Sequence, residues 1–323
     1  IQMNSALVLK AYKTMLTSRI LDEFCEGEFV DKGVNLRHYH SSIGQEALSV
    51  GGAIGLRKND FMYYTHRGVG PLLAKGISLD AVMRDLFFKP GGTNRGTGSV
   101  MHSLAPELGI PGRNGVFGDR FTIASGLALS AKLRNTQQVS VCYYGEAAAA
   151  RGMYYEAINL AVLWKLPVIF IGENNGFSIS SRTRDIYANG DLSSMWKGYD
   201  IPVVKFDGND IISVLEAVEN AAERAREGKG PSVLEGVTYR ISAHIPMEAQ
   251  FEYRTVDEVN EWREKDPIPR ARAWLIEHGV WDMEQDESLK EQLFNEVRER
   301  YAALEKTPIV DRSEMFTMVY YGK

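Results

Sequence analysis

Residues 138–180 read QVSVCYYGEAAAARGMYYEAINLAVLWKLPVIFIGENNGFSIS, and this stretch decides the fold. Gln138 to Tyr144 is a short apolar run rich in β-formers. A turn of small residues follows at 145–152, then a helical stretch, MYYEAINLAVLW, at 153–164. Pro167 opens a second apolar run, Val168 to Gly172, which ends on Glu173-Asn174-Asn175-Gly176. Parallel strands need a crossover, usually a helix, so strand, helix, strand at this spacing predicts a βαβ unit in a parallel sheet.

Outward from this unit, Val203–Phe206 and Ser232–Val237 read as two more strands, and they bracket a charged helix at 210–227. The span 110–240 is therefore expected to be an α/β core, a doubly wound parallel sheet. Upstream, Leu9, Tyr12, Met15, Leu16, Ile20 and Phe24 put an apolar stripe at helical spacing and predict a helix over 5–31. A second helix is expected at 44–57, where Gly51, Gly52 and Ala53 suggest close packing and a subunit contact. Residues 88–120 are rich in glycine and proline, and irregular segments of that length are usually functional. Residues 255–306 read as helix with alternating charges, expected to form a solvated tail. The expectation is one domain over 1–323, with a helical N-terminal extension at 1–40 and a helical C-terminal tail at 255–323.

Composition narrows the class. The chain of 323 residues is 44% apolar and 24% charged, as ordinary globular proteins are, which excludes disordered and collagen-like readings. A net charge of −5 argues against a nucleic-acid footprint. Cys25 and Cys142 form neither a disulfide framework nor a zinc pattern, which suits a reducing compartment. The best membrane candidate, Leu160 to Gly172, is broken by Lys165 and Pro167 and falls short of the ~20 residues a span requires. No signal peptide is expected in the given residues, which begin at Ile1 rather than Met. A cytoplasmic location is expected.

Ligands of open parallel sheets bind beyond the carboxyl ends of the strands. Gly145-Glu146 follows one such end and Asn174-Asn175-Gly176 the next, so both should reach the same crevice. Glu146 offers a carboxylate, Asn175 an amide oxygen and Phe177 a backbone carbonyl. Hard oxygen donors of this kind suit Mg²⁺, which completes its shell with water and phosphate. The small residues Ala147 to Ala150 would let a phosphate approach the amides at the start of the next helix. Singly, a carboxylate after a strand or an Asn-Asn-Gly string is more often only a turn. The pair, with 26 residues between Ala147 and Asn174, is far more specific.

This pattern resembles the thiamine diphosphate motif, Gly-Asp-Gly followed at such a distance by Asn-Asn. The surrounding text is similar to the alpha subunit of the dehydrogenase component of 2-oxoacid dehydrogenase complexes, of the pyruvate and acetoin type. The resemblance covers nearly the whole chain. It includes HSSIGQEA (40–47), THRGVGPLLAKG (65–76), GSVMH (98–102), GRNGVFGD (112–119), DGND (207–210), GPSVLEGVTYR (230–240) and EKDPI (264–268), in the family's order. The resemblance implies a site. Glu146, Asn175 and the Phe177 carbonyl would bind Mg²⁺, and Ala147 and Ala148 would lie beside the cofactor. Arg67 would hold the diphosphate, bidentately if the geometry allows, with His66 next to it. Gly115 and Phe117 would grip the aminopyrimidine ring. Arg240 and His244 would sit on a mobile loop near the diphosphate and the reacting carbon, and His40 is a further catalytic candidate. The implied cofactors are thiamine diphosphate and Mg²⁺. The implied partner is a beta subunit, completing an α₂β₂ heterotetramer with the active site at the interface and supplying the glutamate that activates the cofactor. A lipoyl acyltransferase or an acyl-carrier protein would accept the product. No nucleic-acid or membrane partner is expected.

Four departures bear on function. Glu146 stands where the family usually has Asp, as in its branched-chain members, and one methylene moves the carboxylate by roughly 1.5 Å. Ala147 replaces the second glycine of the motif, and Ala150-Arg151 replaces a polar pair. Val69 and Pro71 stand where the family often has two histidines expected to reach the reaction chamber. The loop after His244 lacks the serines phosphorylated in mitochondrial relatives. Acid–base groups are typically worth 10²–10⁴-fold in rate, so the missing histidines keep a second reading open. The first reading is an oxidoreductase component that cleaves a 2-oxoacid or acetoin and passes the acyl unit to a lipoyl acyltransferase. The second is a two-carbon ketol transferase with another acceptor, such as a carrier protein. A non-catalytic scaffold for a beta partner is a third.

Overall fold

The computed structural model describes residues 3–317 apart from Arg37, Asn114, residues 189–191 and Lys197. In chain order the elements begin with α1 (Ser5–Glu26), α2 (Glu28–Asp31), α3 (Glu46–Ile54), β1 (Phe61–Tyr63), α4 (Gly70–Lys75), α5 (Leu79–Leu86) and α6 (Asp119–Arg134). Then come β2 (Ser140–Gly145), α7 (Gly152–Leu163), β3 (Val168–Asn174) and a small hairpin, β4 (Phe177–Ser178) with β5 (Ser181–Arg182). β6 (Val203–Asp207), α8 (Ile211–Arg226), β7 (Ser232–Val237), α9 (Val256–Arg263), α10 (Pro267–Glu277), α11 (Met283–Lys306) and α12 (Glu314–Thr317) follow.

Five strands form one parallel sheet in the order β1-β2-β3-β7-β6. Side chains alternate across a strand, and here both sets are buried. Val141, Tyr143, Ile169, Ile171 and Leu234 enter a core shared with α1, α3 and α8. Cys142, Tyr144, Val168, Phe170 and Val233 enter a second core under α6 and α7. That two-sided burial is why β2 and β3 read as continuous apolar runs. The expected βαβ unit is present as β2-α7-β3, and the α/β class of parallel sheet and helices holds. The sheet also extends outside the expected span, to β1.

Several expectations are corrected. The first helix breaks at Gly27 and resumes as α2. All nine residues of α3 are buried within the chain, so it is not a subunit contact. Its glycines serve internal packing: a β-carbon on Gly52 would lie 2.8 Å from Cζ of Tyr143 and 3.0 Å from Cδ1 of Ile171. Tyr143 Oη donates to the Ser49 carbonyl at 3.0 Å, stitching α3 onto the sheet. The C-terminal helices are not merely solvated. Leu293, Val297, Tyr301 and Leu304 of α11 join the main core. Asp286, fully buried, accepts from Tyr12 of α1, Arg272 Nη1 of α10 (3.0 Å) and Lys290 Nζ (2.7 Å). Among the described residues no helix is long and apolar enough to cross a membrane.

Candidate functional site

The carboxyl ends of β2 and β3 open into a cleft of about 490 Å³. Neighbouring parallel strands in register set Gly145 opposite Glu173, so the residues after each strand converge. The cleft is lined by His66, Arg67, Phe117, Glu146, Ala147, Ala148, Asn175, Phe177 and His244, all expected from the sequence. Thr65, Arg120, Gly145, Glu173, Ser178 and Ile179 also line it and were not anticipated. Of these, Glu173 carried a legible signal, a carboxylate at the end of an apolar strand beside Asn174-Asn175.

Three expected residues stand off the cleft wall. Arg240 reaches it through His244. His40 lies behind it, its ring 4.4 Å from that of His66 and 4.7 Å from that of His244. Gly115 is exposed on the loop before α6. The helix-terminus expectation is also revised. Residues Glu146–Ala150 form a 3₁₀ turn of their own, and α7 starts only at Gly152. The amides nearest the cleft therefore belong to that turn, not to α7.

The electrostatics divide the cleft in two. At one end, Glu146 is 2% exposed and its Oε2 has no hydrogen-bond partner. Burial pushes its carboxyl up to about 7, against the backbone N–H groups of Glu146 and Asn175, which favour the charged form. Asn175 Nδ2 donates to Gln45 Oε1 at 3.0 Å and its Oδ1 accepts from Phe177 N at 3.1 Å, which fixes the amide. Glu173, also raised to about 7 by burial, accepts from Thr65 Oγ1 at 3.0 Å. Among the described residues no group of three His, Cys, Asp or Glu side chains could hold a metal. A cation here would instead meet one carboxylate, one amide oxygen and backbone carbonyls, leaving positions for ligands from outside the chain.

At the other end two buried guanidiniums meet one imidazole. Arg67 Nη2 and Arg240 Nη1 each lie 3.0 Å from His244 Nδ1. A guanidinium can only donate, so Nδ1 accepts and the ring proton sits on Nε2. Burial, then Arg67 and Arg240, push the His244 pKa down to about 3, so the ring is neutral. Burial, then Arg67 and His244, hold His40 down at about 2, and burial drives His66 the same way. Arg67 Nη1 donates to the Ser41 carbonyl, and Arg240 Nη2 to the Ile179 carbonyl and Tyr253 Oη. Among the described residues neither guanidinium forms an ion pair with a carboxylate. Carboxylates act on them only at longer range, Glu173 and Glu146 on Arg67 and Glu248 on Arg240, so with no carboxylate in contact this end is suited to an anion. Gly68 lets the chain turn beside Arg67: its φ is 64°, and a β-carbon there would lie 2.6 Å from Ser42 Cβ.

The two positions where the family often has histidine do not face the cleft. Val69 is fully buried in the main core and caps α4, and Pro71 is buried in the first turn of that helix. In this backbone, histidines there would not stand in the reaction chamber, which corrects the expectation drawn from their loss.

The cleft at the strand ends thus carries a buried carboxylate, a fixed amide and two buried guanidiniums. Comparison with known proteins identifies the family. The model of the family "Dehydrogenase E1 component" matches residues 12–313. The chain is 36% identical over 310 residues to the alpha subunit of an acetoin:2,6-dichlorophenolindophenol oxidoreductase of Bacillus subtilis, covering 96% of this chain and 92% of the relative. It is 37% identical over 314 residues to a pyruvate dehydrogenase E1 component subunit alpha of Rhizobium meliloti, covering 96% and 88%. It is 31% identical to the human mitochondrial 2-oxoisovalerate dehydrogenase subunit alpha, covering 97% and 70%. The chain belongs to the dehydrogenase E1 component family, as an alpha-type component of a thiamine diphosphate-dependent enzyme.

Proposed function

We propose that this chain is the alpha subunit of a thiamine diphosphate- and Mg²⁺-dependent enzyme that cleaves a 2-oxoacid or acetoin and passes the acyl unit to a lipoyl acyltransferase. The carrying observation is the divided cleft, with an unpartnered Glu146 oxygen at one end and two unpaired guanidiniums around His244 at the other. A diphosphate bridged to Mg²⁺ would satisfy both ends at once. Removing the supposed histidine deficit at Val69 and Pro71 takes away the main argument for a ketol transferase.

Bound in this cleft, thiamine diphosphate supplies a nucleophilic carbon and a ring that accepts the electron pair released from the substrate. The positions of the chain's own residues in the cleft support a set of roles. Glu146, Asn175 Oδ1 and the Phe177 carbonyl would hold the metal, and Ala147 and Ala148 would leave room beside it for phosphate oxygens. Arg67 and Arg240 neutralise the diphosphate. His244, with Nδ1 occupied by the two arginines, presents Nε2–H as a donor to the diphosphate or to a developing negative charge. His66 and His40 pack edge to face and hold the imidazole in place. Phe117, in the cleft wall, would support the aminopyrimidine ring, whereas Gly115 lies off that wall, two residues before it.

The chain is expected to act with a beta subunit as α₂β₂, with the active site between the two, in the cytoplasm. Supporting this, α6 and α7 expose Ile123, Leu133, Tyr155, Leu160, Leu163 and Trp164 on one side of the sheet, and Phe117, at the head of α6, joins that face to the cleft. An apolar face of that extent marks a contact surface. The test is to assay the complex with Mg²⁺ and thiamine diphosphate against 2-oxoacids, acetoin and ketose phosphates. Artificial-acceptor reduction, with CO₂ release from an oxoacid or without it from acetoin, is expected. Ketose consumption with neither signal contradicts the proposal.

A further inference from the structure

The segment that presents Phe117 to the cleft is tied down by side chains. Before it, Ile110 and Ala105 exchange backbone bonds of 2.8 and 3.0 Å; after it, Phe121 N donates to the Gly118 carbonyl at 3.4 Å. Between these points, among the described residues, two guanidiniums tie the chain. Arg120 Nη2 donates to the Val116 carbonyl at 3.1 Å, from the first turn of α6 back to the segment. Arg113 reaches outward instead. Its Nη1 donates at 3.0 Å to the carbonyl of Gly68, the residue after Arg67, and its Cζ lies 5.4 Å from the Tyr64 ring centre. Phe117 itself is exposed, its ring centre 6.0 Å from that of His66.

Arg113 is a poor residue for packing alone. It is 3% exposed, yet its Nε and Nη2 have no hydrogen-bond partner. Burial pulls its pKa down to about 10. An apolar side chain of similar length would cost the fold less. Nor does the turn at Gly68 depend on it. Arg67 Nη1 is anchored on the Ser41 carbonyl at 2.9 Å, and Gly68 N donates to the His40 carbonyl at 2.7 Å. The tie therefore serves its other end, the segment that carries Phe117. Arg113 lines no part of the cleft, so it acts on a ligand there only through that segment.

We infer that Arg113 is a positioning residue, a cross-tie that sets Phe117 in register with the Arg67 turn, so that the ring half and the diphosphate half of one cofactor are gripped together. The inference rests on the thiamine diphosphate reading of the cleft. A segment already held in place loses less freedom when the ring arrives, and so binds it more tightly. The diphosphate half has anchors of its own and gains nothing from the tie.

The test compares two ligands on Arg113→Met and Arg113→Lys in the alpha–beta complex, each with Mg²⁺. Thiamine diphosphate needs both halves of the cleft, and inorganic pyrophosphate only the diphosphate half. Arg113→Met should weaken thiamine diphosphate binding roughly tenfold to a hundredfold, the range for a hydrogen bond from a charged donor, and leave pyrophosphate binding as it was. Arg113→Lys keeps the charge and a donor, and should recover part of the loss. The melting temperature of the cofactor-free complex should not fall in Arg113→Met, because an incompletely bonded buried charge is removed. A lower melting temperature, or a loss shared by both ligands, would mean a merely structural role, and an undiminished affinity for thiamine diphosphate would mean none; each overturns the inference. If the unsubstituted complex binds no thiamine diphosphate, it is the functional reading that fails instead.

Discussion

Replacing Glu146 by Gln should stabilise the cofactor-free protein while removing its response to the cofactor. Burial pushes the Glu146 carboxyl from its ordinary 4.5 up to about 7. At about 1.36 kcal/mol per unit, keeping it ionised above neutrality costs the fold roughly 3 kcal/mol. Gln retains an acceptor for the two backbone N–H groups without the buried charge. In calorimetry of the cofactor-free complex at pH 8, the variant should melt higher by several degrees, at roughly 2 °C per kcal/mol for a large domain. The pH dependence has a definite sign. The native state holds this proton more tightly than the unfolded chain. The associated stability is therefore whole below about 4.5 and is lost as pH rises through about 7. Glu146→Gln should flatten that decline, although Glu173, raised by burial in the same direction, keeps part of it. Mg²⁺ with thiamine diphosphate should raise the melting temperature of the unsubstituted protein by the linkage expected for a ligand of the native state, and that of the variant far less. A variant that melts lower without cofactor would mean that the carboxylate is already satisfied within the chain, and the metal-site argument would fail.

Other expected outcomes rest on separate observations. Asp286, held down at about 2 by Lys290, Tyr12 and Arg272 against its own burial, contributes roughly 2 kcal/mol that is present above pH 3.8 and lost as pH falls toward 2. Asp286→Asn should lower stability at pH 7 by about that much and weaken the acid limb of the unfolding profile. Gly52→Ala drives a methyl against the Tyr143 ring and should cost about 1–3 kcal/mol by overpacking, measured by denaturant unfolding. The double variant Leu133→Glu with Leu163→Glu, at positions 77% and 68% exposed, should leave the chain's own stability within about 0.5 kcal/mol per site. It should abolish assembly with the beta subunit in sedimentation, whereas an intact complex would move the interface elsewhere.

Much of the fold was legible because the decisive strands are buried on both faces, which writes them as unbroken apolar runs. β1 was not legible, since Phe61–Tyr63 is three residues long and its place is fixed only by pairing with β2. Helix α3 announced close packing through Gly51 and Gly52, yet nothing local distinguishes packing on the chain's own sheet from packing on a neighbour. The same ambiguity affected Val69 and Pro71. Their sequence position beside Arg67 suggested the cleft, but a side chain's direction at the start of α4 is set by the core it caps. Alternating charges on α11 resembled a solvated helix because the stripe formed by Leu293, Val297, Tyr301 and Leu304 is narrow. In the site, residues at strand ends could be anticipated, because strand geometry itself brings them together. The anchoring of His244 by two arginines depends on how a loop folds back, which spacing does not encode.

The central claim is that this cleft binds a diphosphate through a metal held by Glu146 and Asn175 and through Arg67 and Arg240. The most direct test is calorimetric titration of thiamine diphosphate into the alpha–beta complex, with Mg²⁺ and with the metal removed by a chelator. The account predicts saturable binding at one site per alpha chain, lost or severely weakened without the metal and in Glu146→Gln. Binding that ignores both the metal and Glu146, or no binding at all, would contradict it.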